Sequence, residues 1–264
     1  MKSLKRGVLP VFLVVFLGST WRGTELAPTN EHLVMAVLWY QHAAEMRALY
    51  YQAFHAAGMQ IDIDHKTRKG KKPGAVIVDV DETVLDNSPH SAKMILENKS
   101  FPYAWTDWVN RAEAEALPGA VEFLNNAVAK GYDAFYVSNR SAETEMEGTI
   151  RNLRCKGFPQ VDSTRVLLRT QESSKETRRR QIMKTHDIVV LIGDNLNDHA
   201  EVFEKRSIDE RFAETDRLRE EFGARFIVLP NPLYGEWESA IYRYQRGLTQ
   251  EQKEHLRRSA LKGF

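Results

Sequence analysis

Ala75-Val76-Ile77-Val78-Asp79-Val80-Asp81-Glu82-Thr83 is the stretch that decides the fold. Its first four residues form an uninterrupted apolar run, and three of them are β-branched. That length and composition fit a strand buried on both faces of a parallel sheet. Two carboxylates then follow, two positions apart, where the chain must turn out of the sheet. Side chains alternate along an extended strand, so Asp79 and Asp81 can point into one crevice. Such a pair suits a hard divalent cation, or a division of roles between nucleophile and general acid/base. A pair of solvated loop aspartates is the common alternative, and the buried run that feeds them argues against it.

The chain on either side of this run keeps alternating. Upstream, residues 26–30 read as a polar linker, with Asn30 capping a long helix to about Ala57 and Leu33, Val37, Tyr40 and Ala44 on one face. Residues 65–72 read as a solvated basic loop. Downstream, residues 87–117 are irregular and aromatic, with Phe101, Tyr103, Trp105 and Trp108 close together, which suggests an insertion over the sheet. Pro118 and Gly119 open a helix carrying Val121, Leu124 and Val128, and Gly131 ends it. Strands are expected at 134–137, 166–168, 188–192 and 226–229. One helix should begin near Ser141, and another should be marked by Ser173 and Glu176 at capping-box spacing. Strands alternating with helices imply an α/β fold with a doubly wound parallel sheet.

Bulk properties agree. The 264 residues are ample for one such core with an appended cap. With 37 basic and 36 acidic side chains the formal net charge is +1, so nothing in the balance points to a nucleic-acid polymer as partner. Lys2, Lys5 and Arg6 precede an apolar run at 8–18 broken by Pro10, the signature of a secretory leader. The expected organisation is a leader at 1–20, cut at an approximate site, followed by a single domain at 21–264. The run falls short of the roughly twenty apolar residues of a stable membrane span. No cysteine follows it, so the expectation is an exported protein, periplasmic or secreted, not lipid-anchored through an N-terminal cysteine. Cys155, the one cysteine, excludes an intramolecular disulfide and reads as a small buried hydrophobe.

Chemistry-bearing residues recur at the ends of the expected strands, the edge where open α/β sheets bind ligands. Asp79 and Asp81 are the first. Ser138-Asn139 offers a hydroxyl and backbone N–H groups to phosphate oxygens, although the pair is also ordinary turn chemistry. Lys175, expected in the first turn of its helix, could balance phosphoryl and carboxylate charge. The adjacent Arg178, Arg179 and Arg180 read as an exposed helical face. Gly193-Asp194-Asn195-Leu196-Asn197-Asp198 then adds a sharp turn, a third acidic group for a metal in Asp194, and Asp198 to orient ligands or waters around it.

At these residues the sequence resembles the haloacid dehalogenase superfamily, and more narrowly the class C acid phosphatases, the group that includes outer-membrane lipoprotein e. The likeness rests on residues 76–87 and 192–198, and extends to 105–110, the helix start at Pro118, 136–140 and 230–237. The family pattern departs at His90, where tyrosine is usual, and at His199, where phenylalanine is usual. The resemblance implies a haloacid dehalogenase-like core with a small, mainly helical, aromatic-rich cap from about 87–117 and parts of the termini. It implies that Asp79 attacks phosphorus and that Asp81 is the general acid/base. Mg2+ would be held by the Asp79 carboxylate, the Asp81 backbone carbonyl and Asp194, with Asp198 supporting the metal site. Ser138, Asn139 and Lys175 would bind the phosphoryl group. The implied substrate is a small phosphomonoester, commonly a nucleoside 5′-monophosphate, and the implied assembly a homodimer.

Phe101, Tyr103, Trp105, Trp108 and Tyr234 are candidates for an aromatic slot beside the phosphate, with Phe101, Trp108 and Tyr234 favoured. Stacking on aromatic faces accepts different nucleobases, while packing within the cap is the plain alternative for each ring. Three rival functions remain: a phosphoprotein phosphatase, a phosphotransferase using the same intermediate, and an inactive surface binding protein on a phosphatase scaffold.

Overall fold

The computed structural model describes residues 30–264, and the expected leader at 1–20 lies outside the described residues. The deciding run forms β1 (Gly74–Val78), buried at every position. It is the centre of a five-stranded sheet in the order β5 (Val166–Arg169), β4 (Asp133–Ser141), β1, β6 (Asp187–Gly193), β7 (Phe226–Val228). Each neighbouring pair is parallel, with Val78 in register with Tyr136 on one side and Ile192 on the other. The chain leaves β1 for β4 and β5, then crosses back to β6 and β7. The two excursions part between β1 and β6, which makes the carboxyl ends of those strands the switch point where a crevice opens.

Strand alternation divides the core into two layers. Val76 and Val78 join Tyr136, Val190 and Ile192 against α2 (Ala44–Thr67), α5 (Ala120–Ala129) and Leu153. Ala75 and Ile77 join Phe135, Val137 and Leu191 against Ile182 of α7 (Glu176–Met183) and Phe203. Each large apolar side chain so buried contributes about 1.5–3 kcal/mol. Both faces are covered, which is why the β1 run has no polar alternate positions.

The aromatic stretch after the β1 turn is mainly helical. It comprises α3 (Ser88–Leu96), α4 (Trp105–Arg111) and an antiparallel ribbon pairing β2 (Leu85–Asp86) with β3 (Glu115–Ala116). The helix α6 (Met146–Cys155) lies against α4 so closely that a Cβ on Gly148 would sit 2.6 Å from the Val109 carbonyl oxygen. Three further helices close the fold: α8 (Ile208–Arg217), α9 (Glu236–Ile241) and α10 (Gln250–Ser259). Among the described residues no helix is long and apolar enough to cross a membrane.

Several local expectations are corrected. The N-terminal helix is broken at Ala43, whose extended backbone (φ −77, ψ 125) separates α1 (Val34–His42) from α2. Asn30 caps neither helix, and its amide donates to the Lys99 carbonyl instead. α2 runs on to Thr67, into the stretch read as loop, because Ala57 and Ile61 continue the buried face of Met46, Tyr50 and Phe54. β4 extends through Ser141, and the helix expected there begins at Met146. Lys175 is the residue before α7, and Ser174 rather than Ser173 accepts from the Glu176 N–H, at 3.3 Å. Cys155 is exposed at the end of α6, not buried.

Candidate active site

The carboxyl edge of the sheet gathers residues far apart in the chain. Asp79 follows β1 directly, and its N–H donates to the Ile192 carbonyl at 2.9 Å, so the strand's ladder aims it. Ser138 lies in β4, Asp194 follows β6, and Lys175 opens α7 beyond β5. Lys175 Nζ lies 2.5 Å from Asp79 Oδ1 and 2.6 Å from Asp198 Oδ1, with all three side chains under 10% exposed. Carboxylate oxygens of Asp79, Asp194 and Asp198 all fall within 4.8 Å of one another. Asp194 Oδ2 accepts from Asn231 Nδ2 at 2.7 Å, and its Oδ1 accepts from the Thr83 hydroxyl at 3.3 Å.

The turn after β6 presents Asp198 by close approach. Asp198 Oδ2 accepts from the Asn195 N–H at 3.0 Å and Asn195 Oδ1 from the Asn197 N–H at 3.2 Å, a reciprocal cap on a single helical turn. A Cβ on Gly193 would collide with the Asp198 carboxyl, so only glycine lets the turn close over it. Arg179 donates to the carbonyls of Asn197 and Asp198, both at 2.9 Å, from a buried position. Arg178 donates to the Ser138 carbonyl and to Asn139 Oδ1, both at 2.6 Å. The arginine run is therefore no exposed face. Two of its three side chains brace the site, and Arg180 alone is exposed.

Burial sets the electrostatics. It pushes the Asp79 carboxyl well above its ordinary range against the pull of the Lys175 ammonium, and the neighbouring carboxylates push the same way. Burial also raises Asp194, with Asp198 adding to it, to about 7. Lys175 is raised although burial opposes its charge, because Asp198 and Asp79 flank it. Three carboxylates around one ammonium cannot all ionise cheaply, so the ammonium stays charged and the cluster retains a proton. The donor set fits a hard cation: it is all oxygen and carries excess negative charge. Asp79 Oδ1, buried beside the ammonium, also has no hydrogen bond of good geometry to complete it.

Asp81 sits apart from this acidic cluster. Its Oδ2 accepts from the Ser138 hydroxyl at 3.1 Å, and its Oδ1 accepts from Arg140 Nε and Asn87 Nδ2, both at 2.9 Å. The structure thus brings Asp198 among the carboxylates expected to hold metal directly, and places the Asp81 carboxylate outside them. Ser138 is fully buried, whereas Asn139 is exposed and held by Arg178.

Glu82 went unread in the sequence. It is fully buried in the left-handed region (φ 51), and its carboxyl accepts from the Asn87 N–H at 3.1 Å and from the Tyr234 hydroxyl. Burial, with the Asp81 charge behind it, lifts its pKa to about 8. Its carbonyl accepts from the Tyr50 hydroxyl, which lies 2.5 Å from the Tyr40 hydroxyl. Tyr234 keeps 42% of its surface exposed while its hydroxyl points inward, and Trp108 Nε1 donates to Asn87 Oδ1 at 2.9 Å. Both rings are therefore tied to the turn that follows β1. Phe101 stands farther out, 66% exposed, with its ring 5.9 Å from that of Trp105.

Residues 21–237 match the family model for the haloacid dehalogenase superfamily, subfamily IIIB (acid phosphatase), and the chain belongs to that family of phosphoric monoester hydrolases. It superposes on the class C acid phosphatase from Bacillus anthracis with a TM-score of 0.87 at 41% identity, covering 90% of this chain and 99% of that one. A tungstate-bound structure of the Bacillus anthracis enzyme matches with a TM-score of 0.85 at 42% identity, covering 89% and 98%. A 28 kDa stem glycoprotein of Glycine max is 28% identical over 133 residues, 46% of this chain and 51% of the relative. A 31 kDa stem glycoprotein of that plant is 27% identical over 166 residues, 60% and 58%. The chain thus spans about half the length of these plant relatives.

Proposed function

We propose that the chain is an exported, magnesium-dependent phosphomonoesterase acting on nucleoside 5′-monophosphates and other small phosphomonoesters through an aspartyl-phosphate on Asp79. The observation that carries this reading is the buried Lys175 ammonium held between Asp79 and Asp198 beside Asp194. Phosphoryl transfer chiefly needs positioning and charge neutralisation, and this cluster supplies both. Tungstate is a tetrahedral oxyanion like phosphate, and its binding to the Bacillus anthracis relative supports a phosphoryl pocket here.

Asp79 carries the nucleophilic oxygen, held in line by its strand and by Lys175. Lys175 and the Ser138 hydroxyl bind the phosphoryl oxygens. Asp81 gives a proton to the leaving alkoxide, then takes one from the water that cleaves the acyl-phosphate. Asp79, Asp194, Asp198 and the Asp81 carbonyl are the groups that would hold magnesium, which when bound supplies charge that neutralises the phosphoryl oxygens. Trp108 and Tyr234, tied to Asn87 and Glu82 next to Asp81, would offer aromatic faces to a nucleobase.

The deciding experiment is phosphate release from a nucleoside 5′-monophosphate by the protein with and without magnesium, beside Asp79→Asn. Magnesium-dependent release that the variant lacks is expected. Undiminished release by Asp79→Asn would remove Asp79 as nucleophile. Release from aryl phosphates but no nucleotide would remove the nucleotide assignment and leave the phosphatase standing.

A further inference from the structure

We propose that Arg140 is a positioning residue that assigns the two oxygens of Asp81 their separate roles, one to be held and one to carry the proton. The proposal rests on the reading of Asp81 as general acid/base. Arg140 is 2% exposed at the end of β4, so it cannot reach a substrate itself and must act through what it touches. What it touches is Asp81. Its Nε lies 2.9 Å and its Nη2 2.8 Å from the same oxygen, Oδ1, and Asn87 Nδ2 donates there as well at 2.9 Å. Two N–H donors, Arg140 Nε and Asn87 Nδ2, converge on Oδ1 with Nη2 in ion-pair contact beside them, whereas Oδ2 receives only the Ser138 hydroxyl at 3.1 Å.

A carboxyl proton placed on Oδ1 would have to displace one of those donors. Placed on Oδ2 it costs no such contact, since a serine hydroxyl can rotate to accept. In the first half-reaction an Asp79 oxygen bonds to phosphorus as the phosphorus–ester oxygen bond breaks. That bond's electron pair stays on the leaving oxygen, which takes the proton from Asp81 Oδ2. In the second, water oxygen bonds to phosphorus and its proton passes to Oδ2. The Asp79–phosphorus bond then breaks with its electrons returning to Asp79, and Asp81 ends protonated as it began.

The other donors of the guanidinium fix its plane. Nη1 donates to Thr149 Oγ1 at 3.1 Å, and that hydroxyl in turn donates to the Glu145 carbonyl at 2.7 Å. Nη2 also reaches Asn87 Oδ1 at 3.4 Å, and the guanidinium carbon lies 5.7 Å from the centre of the Trp105 ring. A planar fork bound on this many sides orients a carboxylate in a way that the single point charge of lysine does not.

The test is the dependence of turnover on leaving group. The full protein with magnesium is assayed on p-nitrophenyl phosphate, whose leaving group departs without a proton, and on a nucleoside 5′-monophosphate, whose alkoxide needs one. General acid catalysis is worth about 10²–10⁴-fold. Arg140→Gln should lower kcat on the alkyl ester roughly 100-fold and on the aryl ester several-fold at most, with KM little changed and Arg140→Lys in between. In an Asp81→Asn background Arg140→Lys should cost nothing further. Equal losses on both esters, or additive losses in the double variant, overturn the assignment. Should the Arg140 variants fail to fold, Thr149→Val, which touches neither Asp81 nor substrate, should give a smaller loss confined to the alkyl ester, and a flat response would overturn the idea equally. Wild-type protein that cleaves neither ester would instead bring down the phosphatase reading itself.

Discussion

Replacing Lys175 by methionine removes the cation held among three carboxylates, two of them buried, while keeping most of the side-chain volume. Removing one partner of a buried ion pair costs about 3–5 kcal/mol. Lys175 pairs with two, at 2.5 and 2.6 Å, so about 4 kcal/mol at pH 7 is a fair expectation. The carboxylates left behind can relieve the loss by binding a further proton. A native state that binds one more proton than wild type gains about 1.4 kcal/mol of relative stability per unit of pH lowered. The deficit should therefore shrink from about 4 kcal/mol at pH 7 to about 1 kcal/mol at pH 5. In melting temperature that is a loss of about 8–16 °C narrowing to about 2–4 °C, at 2–4 °C per kcal/mol for a domain of this size. Circular-dichroism melts of chelator-treated wild type and Lys175→Met at both pH values measure it. Parallel curves, with the deficit unchanged between pH 7 and pH 5, would refute the claim that the acidic cluster is held together by that ammonium and otherwise takes up protons.

Three further expectations follow from the same geometry. Magnesium at a hundred times its dissociation constant should stabilise the chelated protein by about 2.7 kcal/mol, and Asp194→Asn should lose most of that increment in a thermal-shift titration. Glu82, raised to about 8, contributes stability that is complete below its ordinary value of 4.5 and disappears as pH rises through 8. Between pH 5 and 8 the melting temperature of wild type should thus fall faster than that of Glu82→Gln, and equal slopes would count against the shift. Tyr234→Ala should raise KM for nucleotides by roughly 5- to 150-fold, the value of about 1–3 kcal/mol for one base stack. It should leave KM for glycerol phosphate nearly untouched, and an equal rise for both would remove the ring from base recognition.

The parts of the molecule legible in the sequence are those with local causes. β1 and β6 announce themselves because burial on both faces demands unbroken apolar runs, and because Asp79 and Asp194 follow those runs directly. Lys175 was legible only as one weak signal among many lysines until the sheet placed it between two carboxylates. The roles of Arg140, Arg178 and Arg179 were not legible, since each is defined by partners distant in the chain and an arginine run resembles a solvated face. The break at Ala43 has no glycine or proline to mark it, and tertiary packing of Tyr40 and Tyr50 on the Glu82 carbonyl overrides a continuous helical pattern. Glu82 was hidden for the opposite reason: its neighbours Asp79 and Asp81 drew the chemical reading to themselves.

The groups proposed for catalysis lie at the ends of three parallel strands and the start of a helix, from Asp79 to Asp198, with crossover helices between. No single strand–helix unit contains the centre, so no one unit can be rescued for activity by local structure alone. Parallel pairings of this kind close late in folding because their loops are long. During refolding, phosphate release should lag the return of helical signal, which makes turnover a reporter of when β1, β4 and β6 have come into register.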